Sequence, residues 1–290
     1  MNTIGTGTIG TSYRLKYFSS NLQQVLRKAM VSEKICDVIR DDVKYVANPY
    51  TTQPTAAIQA LAGTYSVSAW TNTDDTLTAT DEAIYGEHVF DFEEKLTKFN
   101  MMASRMDEMA YAVAYGVDYS VVNQLCEDAT STYTTPAGGF TTAANVPVII
   151  SNLISKVAGY ADMYKGLFLV IENTDVPGFV QAQISSGFSY SDAALNNGFM
   201  TNYAGVEIYV VRTGTFVTAD IGSRASGTTI TNSGHRVFGV KGVSSVIMGT
   251  PVYEEKGVSG KTGKELAYGQ TFGFKLWTQK AALTVDITLA

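Results

Sequence analysis

The chain has 290 residues, with 21 Lys and Arg residues against 27 Asp and Glu residues and a formal net charge of −6. Hydrophobic residues make up 45% of it, which is enough apolar material for one large or two modest domains and excludes a disordered chain. The charge balance excludes a polybasic nucleic-acid binder, because phosphate affinity needs a dense cationic surface.

Charged residues are few, at 17% of the chain against about 25% in a typical soluble domain. The chain also has 17 tyrosines, and interface cores are poor in Lys, Glu and Asp but rich in Tyr. This composition fits a protein that covers much of its surface with other chains. It fits a β-rich monomer with a Thr- and Ser-rich surface equally well.

The longest apolar runs, such as 167–171, are strand-sized, so no membrane span is expected. The first ten residues have neither the basic nor the apolar region of a secretory signal. The two cysteines, Cys36 and Cys126, form no disulfide framework and are expected to be buried thiols.

The N-terminal 45 residues carry most of the positive charge. Residues 1–12 form a Gly- and Thr-rich arm, and apolar side chains then recur at steps of three and four from Tyr13 to Met30, which predicts an amphipathic helix. Seven Lys and Arg residues against four Asp and Glu residues give residues 1–45 a net charge of +3, which leaves −9 for the rest. The sequence leaves open whether these cations form a solvated helix face or contact nucleic acid.

Residues 46–86 contain neither Lys nor Arg. Alternation over 64–70 ahead of a polar segment, 72–75, predicts a two-stranded excursion with an Asn- and Asp-rich turn. An isolated hairpin is marginally stable in water, so this one is expected to lie on another surface. Trp70 is either the anchor of that contact or an ordinary core tryptophan.

The strongest periodic pattern extends from about Phe92 to Asp128 and predicts one helix roughly 50 Å long. Its apolar stripe at steps of three and four comprises Leu96, Phe99, Ala103, Met106, Ala110, Val113, Val117, Val121 and Leu125. The nearby methionines are interpreted as core residues.

The remainder mixes helices and strands. Helices are predicted from Pro147 to about Tyr160 and from the capping segment 173–175 through Ile184. Strands are predicted at Leu167–Ile171, Val206–Val211, Arg236–Val240, Val243–Met248, Tyr268–Thr278 and Ala281–Leu289, with a Gly- and Lys-containing loop at 256–264. The fold class is therefore α+β, without a βαβ repeat.

No credible active site is found. The two histidines, His88 and His235, and the two cysteines lack metal-ligand spacing, and residues 260–262 imitate only the end of a phosphate loop. The pairs Asp74-Asp75 and Glu254-Glu255 are interpreted as solvated loops. Neither an enzymatic activity nor a cofactor is expected.

The order of the elements resembles the major capsid protein of tailed bacteriophages, with the Hong Kong 97-type fold, over almost the whole chain. Three sets of segments carry the resemblance. They are 91–96 (DFEEKL), 103–110 (ASRMDEMA) and 116–118 (GVD) for a spine helix; 166–171 (GLFLVI), 177–179 (PGF) and 203–211 (YAGVEIYVV) for a strand, a helix and a Gly-led strand; and 268–277 (YGQTFGFKLW) with 281–289 for a closing strand pair.

The resemblance implies a division of the chain: an N-terminal arm at 1–45, an E-loop at 46–90, a peripheral domain at 91–144 and 235–290, and an axial domain at 145–234. It also implies hexamers and pentamers that close an icosahedral shell around double-stranded DNA. Expected partners are portal, scaffolding and decoration proteins, with assembly in the host cytoplasm and no membrane contact. The alternative is another phage structural protein, such as a tail-tube or decoration component, although a long helix argues against mostly-β tube subunits.

Three groups of residues acquire expected roles. The assembly candidates are Trp70, Tyr65, Asp74 and Asp75; the residues expected to face DNA or the inner surface are Arg14, Lys16, Arg27 and Lys28; and the spine-helix core comprises Leu96, Phe99, Met106, Val113, Val117 and Val121. The family's Lys–Asn crosslink needs an E-loop lysine, and none lies between Lys44 and Lys95. The shell is therefore expected to be held together non-covalently.

Overall fold

The structure of the chain is a computed structural model. It describes residues 30–40, 45–51, 58, 63, 72–89, 101–159, 165–185, 199–216, 218–219, 230–231, 234–257 and 263–290. The predicted N-terminal helix, except for Met30, and the first nine residues of the predicted long helix lie outside the described residues.

Four α-helices lie in the described part of the chain, and the second is much the longest. They are α1 (Ser32–Ile35), α2 (Met101–Asp128), α3 (Asn145–Val157) and α4 (Val176–Ser185), with 3-10 turns at Gly139–Thr141 and Thr278–Leu283. The long helix is confirmed over the 28 residues of α2, or about 42 Å. Helix α3 ends three residues earlier than predicted, because Ala158 is extended and Gly159 has a φ of 101°.

The strands largely follow the apolar runs. They are β1 (Asp37–Ile39), β2 (Tyr45–Thr51), β3 (Asn72–Thr78), β4 (Asp81–Val89), β5 (Ser131–Thr134), β6 (Leu167–Glu172), β7 (Phe199–Tyr203), β8 (Val206–Val211), β9 (Thr218–Ala219), β10 (Ile230–Thr231), β11 (His235–Val240), β12 (Ser244–Met248), β13 (Val252–Gly257), β14 (Lys264–Leu276) and β15 (Thr284–Thr288). The strand prediction for 281–283 is wrong, because these residues belong to a 3-10 turn. The loop interpretation of Glu254-Glu255 is also wrong, since both residues pair with β14.

A six-stranded sheet in the order β5-β15-β11-β6-β8-β7 forms the centre of the molecule. Strand β6 runs parallel to β8 and antiparallel to β11, and every residue of β6 is buried. A near-continuous apolar strand of this kind needs cover on both faces. The resemblance implies a boundary between an axial and a peripheral domain at residues 234 and 235. Strands from both sides of this boundary hydrogen-bond within the same six-stranded sheet.

A second sheet contains the longest strand. The order is β1-β12-β14-β13, and β4 also pairs with β14. Strand β14 has 13 residues; its first half lies between β13 and β4, and its second half pairs with β12. We call this five-stranded sheet the body sheet. Residues 81–89 belong to it, because β4 pairs with β14 over the whole length of β4.

A two-stranded ladder lies in this region, with β2 paired antiparallel with β3. Its strands are not the ones predicted on either side of 72–75, and residues 64–70 lie outside the described residues. Asn72–Asp75 is not the turn that its polarity indicated, because these residues pair with Asn48–Thr51 inside the ladder. Along β3, Asp75 and Leu77 are buried, whereas Asp74, Thr76 and Thr78 are exposed. Thr73 and Asp74 therefore belong to an outward-facing strand surface, whereas Asp75 faces inward.

Candidate assembly surface and its support

Helix α2 supports the body sheet from one side. Three predicted core residues, Val113, Val117 and Val121, are fully or almost fully buried. The assignment of Met106 to the core is wrong, because its side chain is 36% exposed, whereas Met109 is fully buried and packs with Val89 and Leu266. Both Met106 and Met109 are compatible with an apolar stripe at steps of three and four. Met109 is the buried one because it faces β4 and β14. Leu96 and Phe99 lie outside the described residues.

Helix α2 also binds the residues at the start of α1, Val31 and Ser32. The carboxylate of Asp118 accepts hydrogen bonds from the backbone N–H of Val31 at 2.8 Å and of Ser32 at 2.9 Å, and from Ser32 Oγ at 2.6 Å. A carboxylate is a favourable acceptor for backbone N–H groups at the start of a helix. The N-terminal segment is thereby attached to the middle of the long helix.

A buried charge network lies where β6, α4 and β11 meet. Arg236 Nε donates to Asp175 Oδ2 at 2.5 Å, and Arg236 Nη2 donates to Glu172 Oε2 at 3.3 Å. Glu172 Oε1 also accepts the backbone N–H groups of Gly214 and Phe216 at 3.0 and 3.3 Å. All three side chains are at most 10% exposed. Because a buried charge is costly unless it is paired, this network holds the turn at 212–216 firmly against the sheet.

The same turn is connected to α2. Asn123 Nδ2 donates to the carbonyl oxygen of Thr215 at 2.7 Å and to that of Tyr119 at 2.8 Å. The long helix and the six-stranded sheet are thus joined by buried polar bonds as well as by apolar packing. The sequence gives a weak signal for this junction, namely charged residues at the end of one apolar strand, Glu172, and inside another, Arg236.

On the face of β4-β14-β13 opposite α2, the two flanking strands expose side chains to solvent, whereas Gly269 on β14 is buried. Ile84 and Val252 both pair with Gly269, so the three residues form one row across the sheet. The side chains of Ile84 and Val252 are 64% and 65% exposed. Gly86, Ala267 and the exposed Glu254 form the next row. We call this surface, defined by Ile84, Gly86, Val252, Glu254, Ala267 and Gly269, the outer face.

The assembly candidates from the sequence divide between two environments. Asp74 is exposed on the hairpin. Asp75 is not an exposed interface residue, because it is 8% exposed and its carboxylate binds Thr278 N and Lys275 Nζ of the same subunit. Trp70 and Tyr65 lie outside the described residues, as do the four cationic candidates Arg14, Lys16, Arg27 and Lys28.

The two cysteines lie in the core. Both cysteines are free and buried, as expected, and burial raises the pKa of Cys36 to about 12 and that of Cys126 well above its ordinary value. The described residues contain no cluster of three or more His, Cys, Asp or Glu side chains arranged to hold a metal ion. In that same part of the chain, no helix has both the length and the apolar character needed to cross a membrane.

Comparison with solved structures identifies the fold. The chain is similar to the capsid structure of the cyanophage P-SCSP1u, with a TM-score of 0.71, 14% identity, and coverage of 98% of this chain and 95% of the other. It is also similar to the capsid of an empty GTA particle, with a TM-score of 0.68, 12% identity and 98% coverage of both chains. For the mature capsid of bacteriophage PhiM1, the TM-score is 0.64, the identity is 11% and the coverage is 95% and 92%.

No protein-family model and no curated protein sequence matches the chain. The structural likeness extends over nearly the full length of each chain, so it concerns the whole arrangement of helices and sheets. The protein therefore has the mixed helix and sheet fold found in these phage capsid structures.

Proposed function

We propose that this protein is the major capsid protein of a tailed bacteriophage and assembles into a closed shell. The observation that carries the proposal is the full-length likeness to three capsid structures. The low content of charged residues, 17%, agrees with a subunit whose surface is covered by other copies. A 28-residue helix makes the alternative, a tail-tube component, a poorer fit.

We further propose that the fold is of the Hong Kong 97 type. Residues 1–45 serve as the N-terminal arm, and α2 serves as the spine helix. The E-loop, expected at 46–90, corresponds to the β2-β3 hairpin and its connection, because β4 pairs with the body sheet. The peripheral domain, 91–144 and 235–290, and the axial domain, 145–234, are joined through the six-stranded sheet.

In this proposal, hexamers and pentamers form through contacts between unlike surfaces of neighbouring copies. Candidate contact residues are Trp70, Tyr65 and Asp74 on the excursion, together with the outer face. Contiguous exposed apolar surface marks interaction sites, and Ile84 and Val252 are exposed on the two strands that flank Gly269. The contacts are non-covalent, since residues 45–94 contain no lysine for a crosslink.

The remaining partners follow from the shell. Double-stranded DNA is enclosed, and Arg14, Lys16, Arg27 and Lys28 face it or line the inner surface, where non-specific phosphate contacts require no sequence recognition. Portal, scaffolding and decoration proteins are further partners, with assembly in the host cytoplasm and the mature protein in the virion.

Electron microscopy of the purified full-length chain tests this proposal. We expect closed, roughly spherical particles, and sedimentation that depends on protein concentration and salt. Long tubes in place of closed particles would favour the tail-tube alternative. Monomers at every salt and protein concentration would contradict a shell protein. Nuclease-resistant DNA inside particles isolated from infected cells would separate a packaged shell from an empty assembly.

A further inference from the structure

The β2-β3 hairpin leaves the body of the subunit at one crossing point on β14. A Cβ atom added at Gly273 would lie 2.3 Å from the carbonyl oxygen of Thr78 and 2.8 Å from Cα of Ala79. No side chain fits in that space, so the backbone after β3 passes directly over β14. The crossing point fixes where the hairpin emerges, but a single backbone contact leaves its direction undetermined.

Two further contacts lie on the same side of the hairpin, along alternate residues of β3. Leu77 is 1% exposed and packs with Ile247 and Trp277. Two residues further out, the carboxylate of Asp75 receives the backbone N–H of Thr278 at 2.9 Å on Oδ2 and Lys275 Nζ at 3.1 Å on Oδ1. Together with Gly273, these contacts form a line that defines the direction of the hairpin.

The Asp75 contact is stronger than a surface ion pair. Its side chain is 10% exposed, whereas Lys275 is 34% exposed, so the carboxylate is mostly shielded from water while one partner is a backbone group that cannot move away. Charge-assisted hydrogen bonds of this kind are short and directional. Burial alone would raise the pKa of Asp75, but the bonds from Thr278 and Lys275 outweigh it and hold that pKa below its ordinary value.

We propose that Asp75 is a latch that sets the angle between the β2-β3 hairpin and the body of the subunit. Closing the contact joins β3 to the end of β14 through Lys275 and to the start of the 3-10 turn through Thr278. Opening it leaves the hairpin held by the Gly273 crossing and by Leu77 and Val46, which pack with Ile247 and Trp277. The latch lies within one subunit, so this inference does not depend on the proposed shell function.

A distance measurement between spin labels tests the latch. Labels are placed on the hairpin through Thr76→Cys, at an exposed position, and on α3 through Val148→Cys, which is 51% exposed. Cys36 and Cys126 are buried and remain unlabelled in the folded chain. The labelled full-length chain is mixed with excess unlabelled chain, so that distances within one copy dominate.

The test variant is Asp75→Ala, and the matched control is Asp74→Ala, which removes the neighbouring carboxylate from the exposed side of the same strand. We expect Asp75→Ala to broaden and shift the distance distribution and Asp74→Ala to leave it unchanged. Amide exchange in β3 should accelerate about tenfold or more in Asp75→Ala, the factor expected for losing a hydrogen bond to a charged group. Equal distributions for the two variants would overturn the proposal.

Amide exchange in β6 (Leu167–Glu172) separates local release from unfolding of the subunit. If Asp75→Ala loses protection there, the shape-conserving variants Asp75→Asn and Lys275→Met decide, because each weakens the latch without emptying its site. A shifted distance with β6 still protected supports the latch. An unchanged distance in both variants overturns it, whether or not the protein still forms shells.

Discussion

Two regions of the molecule differ in how far their strands are buried within one copy of the chain. They are the six-stranded sheet and the part of the body sheet formed by β4, β14 and β13. Every residue of β6 is buried, and so are five of the six residues of β11. In β13, five of six residues are exposed, and Ile84 on β4 is 64% exposed. The first sheet is largely buried within its own subunit, whereas the second exposes Ile84 and Val252 to solvent.

The difference begins in the sequence of the strands. Strand β6 reads LFLVIE, a continuous apolar run that must be covered on both faces. Strand β13 reads VYEEKG and mixes apolar with charged residues. The proposed shell function needs both features: a buried centre within each copy and exposed strands that can contact neighbouring copies.

The largest effect is expected at the centre, from Arg236→Ala. This change leaves the carboxylates of Glu172 and Asp175 buried without their cation, and breaking a buried ion pair in this way costs about 3–5 kcal/mol. We expect the free energy of unfolding, measured by urea denaturation of the full chain, to fall by that amount.

The matched control for this variant is Arg40→Ala. Arg40 also pairs with a glutamate, Glu33, but its side chain is 68% exposed, so the loss should be at most about 1 kcal/mol. Equal losses in the two variants would mean that the centre of the molecule is no more self-contained than its surface, and the contrast between the two regions would disappear.

An intermediate effect is expected at the boundary between the regions, from Gly273→Ala. The added methyl group would lie 2.3 Å from the carbonyl oxygen of Thr78, so the hairpin has to shift, and forcing an extra methyl into a packed site costs about 1–3 kcal/mol. Gly257→Ala is the control, because no atom lies within 4 Å of its added Cβ. Thermal unfolding of both variants measures the difference, and a Gly273→Ala variant as stable as Gly257→Ala would contradict the crossing geometry.

Elements with strong local patterns could be predicted from the sequence. The stripe of α2 and the apolar runs of β6 and β8 each determine their own structure, because burial of one face or both faces is encoded within a dozen residues. The order of these elements was also sufficient to indicate a capsid fold. Local patterns did not determine pairing between distant segments, such as the parallel pairing of β1 with β12.

The candidate site shows the same limit. Asp74 and Asp75 are adjacent and chemically identical, yet one is exposed and the other is bound to Thr278, which lies about 200 residues away along the chain. Alternation in a strand separates the two faces, but the sequence does not say which face meets the body. Met106 and Met109 present the same ambiguity on a helix. The choice is made by long-range packing, which a local pattern does not contain.

The double variant Ile84→Ser and Val252→Ser changes the outer face. We expect it to have the smallest effect on the stability of the isolated subunit and a large effect on assembly. Both side chains are about two-thirds exposed, so their loss should change the free energy of unfolding by less than about 0.5 kcal/mol. If neighbouring copies cover the row, the same change removes apolar contact area from every interface that uses it. Sedimentation and electron microscopy should then show fewer and less stable particles.

Val148→Ser is the control, because Val148 is also an exposed aliphatic residue, at 51%, but lies on α3, beside the six-stranded sheet. Normal assembly of this variant together with impaired assembly of the double variant would locate the contact on the outer face. If the double variant instead lowers the stability of the subunit by several kcal/mol, the row is covered by its own chain. The outer part of the body sheet would then be as self-contained as the centre, and the apolar row would no longer indicate a partner.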